Sequence, residues 1–267
     1  MSLSNVKLVV SDLDGTLLNS NHEVSPLFFE LFKKMKLQNI LFVAASGRPY
    51  YSMIDKLDSI KDDIIIVSEN GALAIKNNTV LLSNAFDSKN ISEITNIVTN
   101  LKETHPVFCT RNKAYLRNTS KTLITFLNEY YSNYIIIDDF SKIKEDIYKI
   151  ALYNEDSSER HIYPFVKHLE DRYKVKVSAN HWVDISENIA NKGYAIKLIQ
   201  EKYNISPEET MVFGDYNNDL EMLKLAKYSY AMENAHPLVK DTANFSTKSN
   251  DENGVEFILE KLVNSKH

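Results

Sequence analysis

The chain has 267 residues, 43% of them hydrophobic, with a formal net charge of −5 and a pI near 5.8. That is enough to bury a sizeable core in one large domain or two smaller ones, and it offers no basic field to draw nucleic acid or an anionic membrane. No stretch approaches the roughly 18 uninterrupted apolar residues of a membrane helix, and the lone cysteine, Cys109, has no partner for an internal disulfide.

The first residues, MSLSNVKL, run straight into an apolar segment without the charged and apolar regions of a signal peptide, so the reducing cytoplasm is the expected compartment. Residues 6–10 read as a continuously apolar strand of the kind covered on both faces. Ser25 then reads as an N-cap with Pro26 at the first helical position, and Leu27, Phe28, Leu31, Phe32 and Met35 follow at helical spacing. Further buried strands are expected at 40–45, 64–67 and 211–213, and helices at 194–203, 220–226 and 255–263. Strands alternating with helices in this way predict an α/β fold with a doubly wound, mostly parallel sheet.

The middle of the chain has another rhythm. Ile91, Ile94, Val98 and Leu101 mark one helix, Leu123, Ile124, Leu127 and Tyr131 a second, and Ile162, Phe165, Val166 and Leu169 a third. Strands are expected at Ile147–Tyr153 and at 173–177, where apolar residues alternate as in a sheet with one wet face. Residues 85–186 therefore read as an α+β module inserted into a core formed by 1–84 and 187–267. Gly and Pro, at 6 each, are too scarce to supply a flexible linker.

Four segments carry candidate chemistry. In VVSDLDGTLLNS, Asp12 and Asp14 leave the end of a strand on the same side, because side chains two apart in an extended chain point alike. Gly15 lets the backbone turn there. A calcium loop starting at Asp12 would place Glu23 at its twelfth position, but Leu17 stands where the sixth needs glycine. A strand-end turn with Asp14 as a cap remains open. In Ala45-Ser46-Gly47-Arg48-Pro49, a hydroxyl and free N–H groups at a strand end suit a phosphate, although local evidence favours Ser46 as an ordinary N-cap. Lys192, in Asn191-Lys192-Gly193, sits where a helix begins, a disfavoured place for a cation unless something nearby compensates. In Phe213-Gly214-Asp215-Tyr216-Asn217-Asn218-Asp219, Asp215 ends another apolar strand, and Asp219 is positioned to cap the next helix.

If the sheet is parallel, all four segments open on one edge. Asp12, Asp14, Asp215 and Asp219 would then repel one another unless a cation sat among them, and oxygen-only ligands beside a phosphate favour Mg²⁺. Ser46 and Lys192 would supply hydrogen bonds and charge for a phosphate dianion.

The ordered set D-L-D-G-T, S-G-R-P, a lone K before G, and G-D-x-x-N-D resembles the haloacid dehalogenase superfamily, and within it the Cof-type phosphatases with a C2-type α+β cap. S-E-N-G-A at 68–72 and the long gap before Lys192 are similar touches. The resemblance implies a Mg²⁺-dependent phosphomonoesterase. Asp12 would be the nucleophile forming an aspartyl-phosphate, and Asp14 the acid and base. It further implies that Asp12, the Asp14 carbonyl and Asp215 hold Mg²⁺, that Ser46, Gly47, Lys192 and Asn218 bind the phosphoryl group, and that Asp219 supports them from behind. The inserted module would select the substrate, a small phosphorylated metabolite such as a sugar phosphate, with no nucleic-acid or membrane partner. A phosphosugar mutase of the same superfamily and a non-catalytic metabolite-binding regulator are the competing readings.

Overall fold

The computed structural model describes residues 3–117, 119–128 and 131–265. In chain order the strands are β1 (Leu8–Ser11), β2 (Leu41–Ala45), β3 (Ile65–Ser68), β4 (Leu73–Lys76), β5 (Thr79–Ser83), β6 (His105–Thr110), β7 (Ala114–Leu116), β8 (Tyr134–Ile136), β9 (Ile147–Tyr153), β10 (Tyr173–Ala179), β11 (Trp182–Glu187), β12 (Thr210–Gly214), β13 (Tyr228–Ala231) and β14 (Phe245–Ser246). The helices are α1 (Pro26–Leu37), α2 (Tyr50–Lys56), α3 (Ser88–Thr99), α4 (Lys121–Leu127), α5 (Ser158–His161), α6 (Tyr163–Val166), α7 (Lys192–Tyr203), α8 (Leu220–Leu223), α9 (Pro237–Thr242) and α10 (Gly254–Asn264).

The first sheet runs β14-β13-β12-β1-β2-β3-β4-β5, parallel from β14 to β3 and antiparallel thereafter. The apolar runs explain this directly. β1, β3 and β12 are buried along their whole length, which requires helices on both faces. On α1 the Ser25 hydroxyl accepts from Phe28 N at 3.2 Å, Pro26 opens the helix, and Phe28, Leu31, Phe32 and Met35 are buried. Phe28 and Phe32 pack on Phe42 of β2, with ring centroids 5.1 and 6.2 Å away. The β4–β5 hairpin was not among the expected elements. Its turn is Asn77-Asn78, both with positive φ (44° and 65°), the conformation a two-residue hairpin needs and asparagine tolerates.

The second sheet, β10-β11-β9-β6-β7-β8, is antiparallel except for β7–β8. The wet-face expectation suits β10 at its edge, whereas central β9 is buried throughout. Both its faces are covered. Ile150 and Leu152 join Phe108, Val183 and Ile185 in one cluster, while Ala151 and Tyr153 join Val107, Cys109, Trp182 and Tyr51 in another. Tyr51 comes from α2, so this second face packs on the first sheet's layer. The single helix expected through 162–169 is instead split into α6 and a 3₁₀ turn at Lys167–Asp171, directly preceded by α5. Pro164, which lacks an N–H and crowds the preceding turn, accounts for the separation of α5 from α6. The helix expected over 220–226 ends earlier, at Leu223. Among the described residues no helix is long and apolar enough to cross a membrane.

Candidate active site

Parallel neighbours put strand ends side by side. β1 lies between β2 and β12, with Ser11 opposite both Ala44 and Phe213, so the residues that follow these strands share one edge. Asp12 extends the ladder by donating its N–H to Phe213 O at 3.1 Å, and its side chain is buried. Gly15 then turns the chain at φ 74°. A Cβ there would collide with the Asp215 carboxylate, so glycine is what allows the two loops to approach. Thr16 Oγ1 donates to Asp215 Oδ1 at 3.1 Å and fixes that approach.

Lys192 is the first residue of α7 and is fully buried. Its Nζ donates to Asp12 Oδ1 at 2.6 Å and to Asp219 Oδ1 at 2.7 Å. Two carboxylates thus compensate a cation at a helix N-terminus. The helix itself is capped by Asn191, whose Oδ1 accepts from Tyr194 N at 2.7 Å. Gly71 (φ 93°) lets the Glu69–Gly71 turn press on the Asn191 carbonyl, which holds the start of α7 near the site. Asp219 does not cap α8 with its side chain. Its Oδ2 accepts from the N–H groups of Asp215 (3.0 Å) and Tyr216 (3.1 Å), so both of its oxygens are occupied in holding the Asp215 loop and Lys192.

Asp12, Asp215 and Asp219 each bring a carboxylate oxygen to within 4.8 Å of the others. One ammonium among three carboxylates leaves a surplus of negative charge. Burial, with Asp219 and Asp215 close by, pushes the Asp12 carboxyl well above its ordinary range despite Lys192. Burial and Asp219 likewise push Asp215 up to about 6. An oxygen-only donor set with excess negative charge fits a hard divalent cation such as Mg²⁺. Since Asp219 has committed both oxygens, Asp12 and Asp215 are the carboxylates left to face such an ion.

Asp14 stands apart from this group. Burial raises its pKa, but Arg48 reverses the balance and the net shift is downward: Nε donates to Oδ2 at 2.7 Å and Nη2 to Oδ1. His22 Nδ1 lies 3.4 Å from the same carboxylate. Ser46 is buried, and it is not an N-cap: α2 begins at Tyr50 with Pro49 as its cap, while Ser46 Oγ accepts from Arg48 N at 3.1 Å. Gly47 packs against Asn70, and Asn218 Nδ2 donates to Asn70 Oδ1 at 2.9 Å.

Asp12, Asp14, Ser46, Gly47, Asp215 and Asn218 all line one cleft of ≈ 960 Å³, with Lys192 and Asp219 directly behind them. The far wall comes from the second sheet: Lys149, Trp182 and Asp184 line the same cleft. Sequence reasoning assigned no site role to Arg48, Asn70, Lys149, Trp182 or Asp184. Arg48 and Asn70 sat inside quoted motifs, whereas nothing in the sequence marked Lys149 or Asp184. Arg111 and His181, in the same module, hydrogen-bond Asn78 and the Asn154 carbonyl.

A family model described as haloacid dehalogenase-like hydrolase matches residues 9–259. The 5-amino-6-(5-phospho-D-ribitylamino)uracil phosphatase YbjI of Escherichia coli (strain K12) is 27% identical, over 97% of this chain and 96% of its own. The crystal structure of SMU.1108c from Streptococcus mutans UA159 superposes with a TM-score of 0.86 at 30% identity, covering 97% of this chain and 99% of that one. TM0651 from Thermotoga maritima superposes with a TM-score of 0.84 at 28% identity, covering 96% and 97%. The strand-end aspartates on a parallel sheet and the near full-length match lead to one assignment: the chain belongs to the haloacid dehalogenase-like hydrolases, as a phosphoric monoester phosphatase of the Cof type.

Proposed function

We propose that the protein is a Mg²⁺-dependent phosphatase of small phosphorylated metabolites that works through an aspartyl-phosphate on Asp12. The observation that carries this is the meeting of Asp12, Lys192, Asp215 and Asp219 at one end of a cleft that also contains Asp14 and Ser46. Asp12 and Asp215, with the Asp14 carbonyl, would hold Mg²⁺, which when bound supplies positive charge against the repulsion between a carboxylate and a phosphate dianion.

Asp12 attacks phosphorus with the oxygen that Lys192 does not hold, and the bond to the leaving oxygen breaks. Lys192, the Ser46 hydroxyl, the Gly47 N–H and Asn218 bind the phosphoryl oxygens and keep the group in line. Asp14 protonates the departing alkoxide and then takes a proton from the water that opens the acyl phosphate. Arg48 holds Asp14 ionised in the resting site, so it must loosen its grip as substrate enters for Asp14 to act as an acid. The second-sheet module, residues 85–186, acts as a cap whose wall contacts the leaving half of the substrate.

Phosphate release from p-nitrophenyl phosphate tests this. EDTA is expected to abolish turnover and Mg²⁺ to restore it; full activity in EDTA would overturn the metal site. Gly15→Ala provides an independent check. Left-handed alanine costs about 1 kcal/mol, and its methyl displaces Asp215. A shift of about 1 Å there is expected to lower kcat/KM about 100-fold and to raise the Mg²⁺ concentration needed for half-maximal rate. Unchanged Mg²⁺ dependence would show that Asp215 does not face the ion.

A further inference from the structure

Beyond the phosphoryl end of the cleft, the second sheet supplies a wall with its own charge arrangement. Side chains alternate along β9 and β11, so Lys149, Ala151, Trp182 and Asp184 share the face turned toward Asp12 and Asp14. Lys149 is committed elsewhere. Its Nζ lies 2.6 Å from Glu69 Oε2 and donates to Gly47 O at 3.1 Å, with only 9% of the side chain exposed. Burial alone would lower its pKa, but Glu69 and Asp184 outweigh that and keep it charged. Its charge is thus paired with a buried carboxylate, and two of its three N–H donors are engaged.

Asp184 is different. It is half-buried, and among the described residues no cationic nitrogen lies within 4.0 Å of it. Lys176, opposite it on β10, is exposed and makes no ion pair with it. Of the other basic residues lining the cleft, Arg48 is forked onto Asp14 and His22 lies beside Asp14, while Lys56 belongs to α2 and not to this wall. The cap wall therefore presents a carboxylate beside Trp182, and among the described residues the cation it brings to the cleft, Lys149, is paired with Glu69.

We propose that Asp184 selects the leaving group: it accepts hydrogen bonds from hydroxyl or ammonium groups on the leaving half and repels a second phosphate or carboxylate. This rests on the phosphatase assignment and on the cap role proposed above. It names the chemistry of the leaving half: a neutral polyhydroxylated or an aminated group, and not a bisphosphate.

The test is steady-state kinetics of wild type, Asp184→Asn and Asp184→Lys on p-nitrophenyl phosphate, a hexitol monophosphate, an amino-hexose monophosphate and a hexose bisphosphate. Wild type is expected to favour both donor-bearing monophosphates over the bisphosphate by about 10-fold or more in kcat/KM. Asp184→Asn, isosteric and uncharged, is expected to relax that ratio. Asp184→Lys is expected to move it about 100-fold toward the bisphosphate. A ratio unchanged in Asp184→Lys would overturn the inference, as would a wild-type preference for the bisphosphate. Absence of p-nitrophenyl phosphate turnover by wild type with Mg²⁺ would instead overturn the enzymatic reading beneath it.

Discussion

Asp12→Asn is expected to lower kcat by about four to six orders of magnitude, the range seen when a covalent nucleophile is removed from a site that still binds substrate. The geometry leaves little room for rescue. Asp12 Oδ1 is held by Lys192 at 2.6 Å, so an amide at this position would turn its carbonyl to Lys192 and its NH₂ toward the place where a cation is expected. The nucleophile and a metal ligand are lost together. The same change is expected to stabilise the metal-free fold. Burial, Asp219 and Asp215 hold the Asp12 carboxyl above its ordinary pKa, so its ionised form is disfavoured in the folded protein. Because the folded state keeps the proton longer than the unfolded one, stability from this group falls as pH rises above the unfolded value of about 3.9. Asparagine does not titrate, so its advantage in EDTA should be small at pH 4 and larger at pH 8. Phosphate release and thermal melts at the two pH values check both halves. Activity above about 1% of wild type would mean that another group attacks phosphorus.

The parts of this molecule legible in sequence are those where local chemistry and fold agree. The runs at 40–45, 64–67 and 211–213 became buried strands because continuous apolar residues admit no wet face. Ser25 and Pro26 started α1 where the capping pattern placed them. Lys192 was legible through a violated rule, a cation at a helix start, and the structure supplies the reason in two carboxylates from distant strands. The convergence of Asp12, Asp14, Asp215 and Ser46 on one cleft followed from a single topological premise, a parallel sheet, which the strand pairing satisfies.

What stayed hidden depends on contacts between segments far apart in the chain. Lys149 is one lysine among many until β9 is buried and Glu69 arrives from the other sheet's layer. Asp184 acquires meaning only when β11 turns one face to the cleft. Its neighbour Trp182 stands in no motif, and here it packs against Tyr131 and Tyr153 while also lining the cleft. Asp219 was legible as a helix cap by its position, yet tertiary geometry redirected both of its oxygens inward. Local preference was overridden wherever a buried charge needed a partner.

Lys192→Met tests that last statement most severely. The side chain is fully buried between Asp12 and Asp219, and methionine fills similar space without charge. Removing one member of a buried ion network leaves carboxylates uncompensated, so in EDTA at pH 8 the variant is expected to lose about 3–5 kcal/mol of stability. The loss should depend on pH in a defined direction. Without the ammonium, the folded pKa of Asp12 rises further above the unfolded value of about 3.9. Between those values the folded variant binds more protons than the unfolded chain, so its stability falls as pH rises and recovers as pH drops toward 4. Mg²⁺ is expected to return part of the stability, because a cation near Asp12 and Asp215 offsets the same surplus of charge. It should not restore turnover, because the phosphoryl oxygens would still lack the Lys192 ammonium. Urea midpoints at pH 5 and 8, with and without Mg²⁺, separate electrostatics from packing: a cavity or shape defect would cost the same at both pH values and ignore the ion. A destabilisation indifferent to pH and to Mg²⁺ would therefore mean that Lys192 serves the fold by its volume alone, and the charge balance assigned to this site would fail with it.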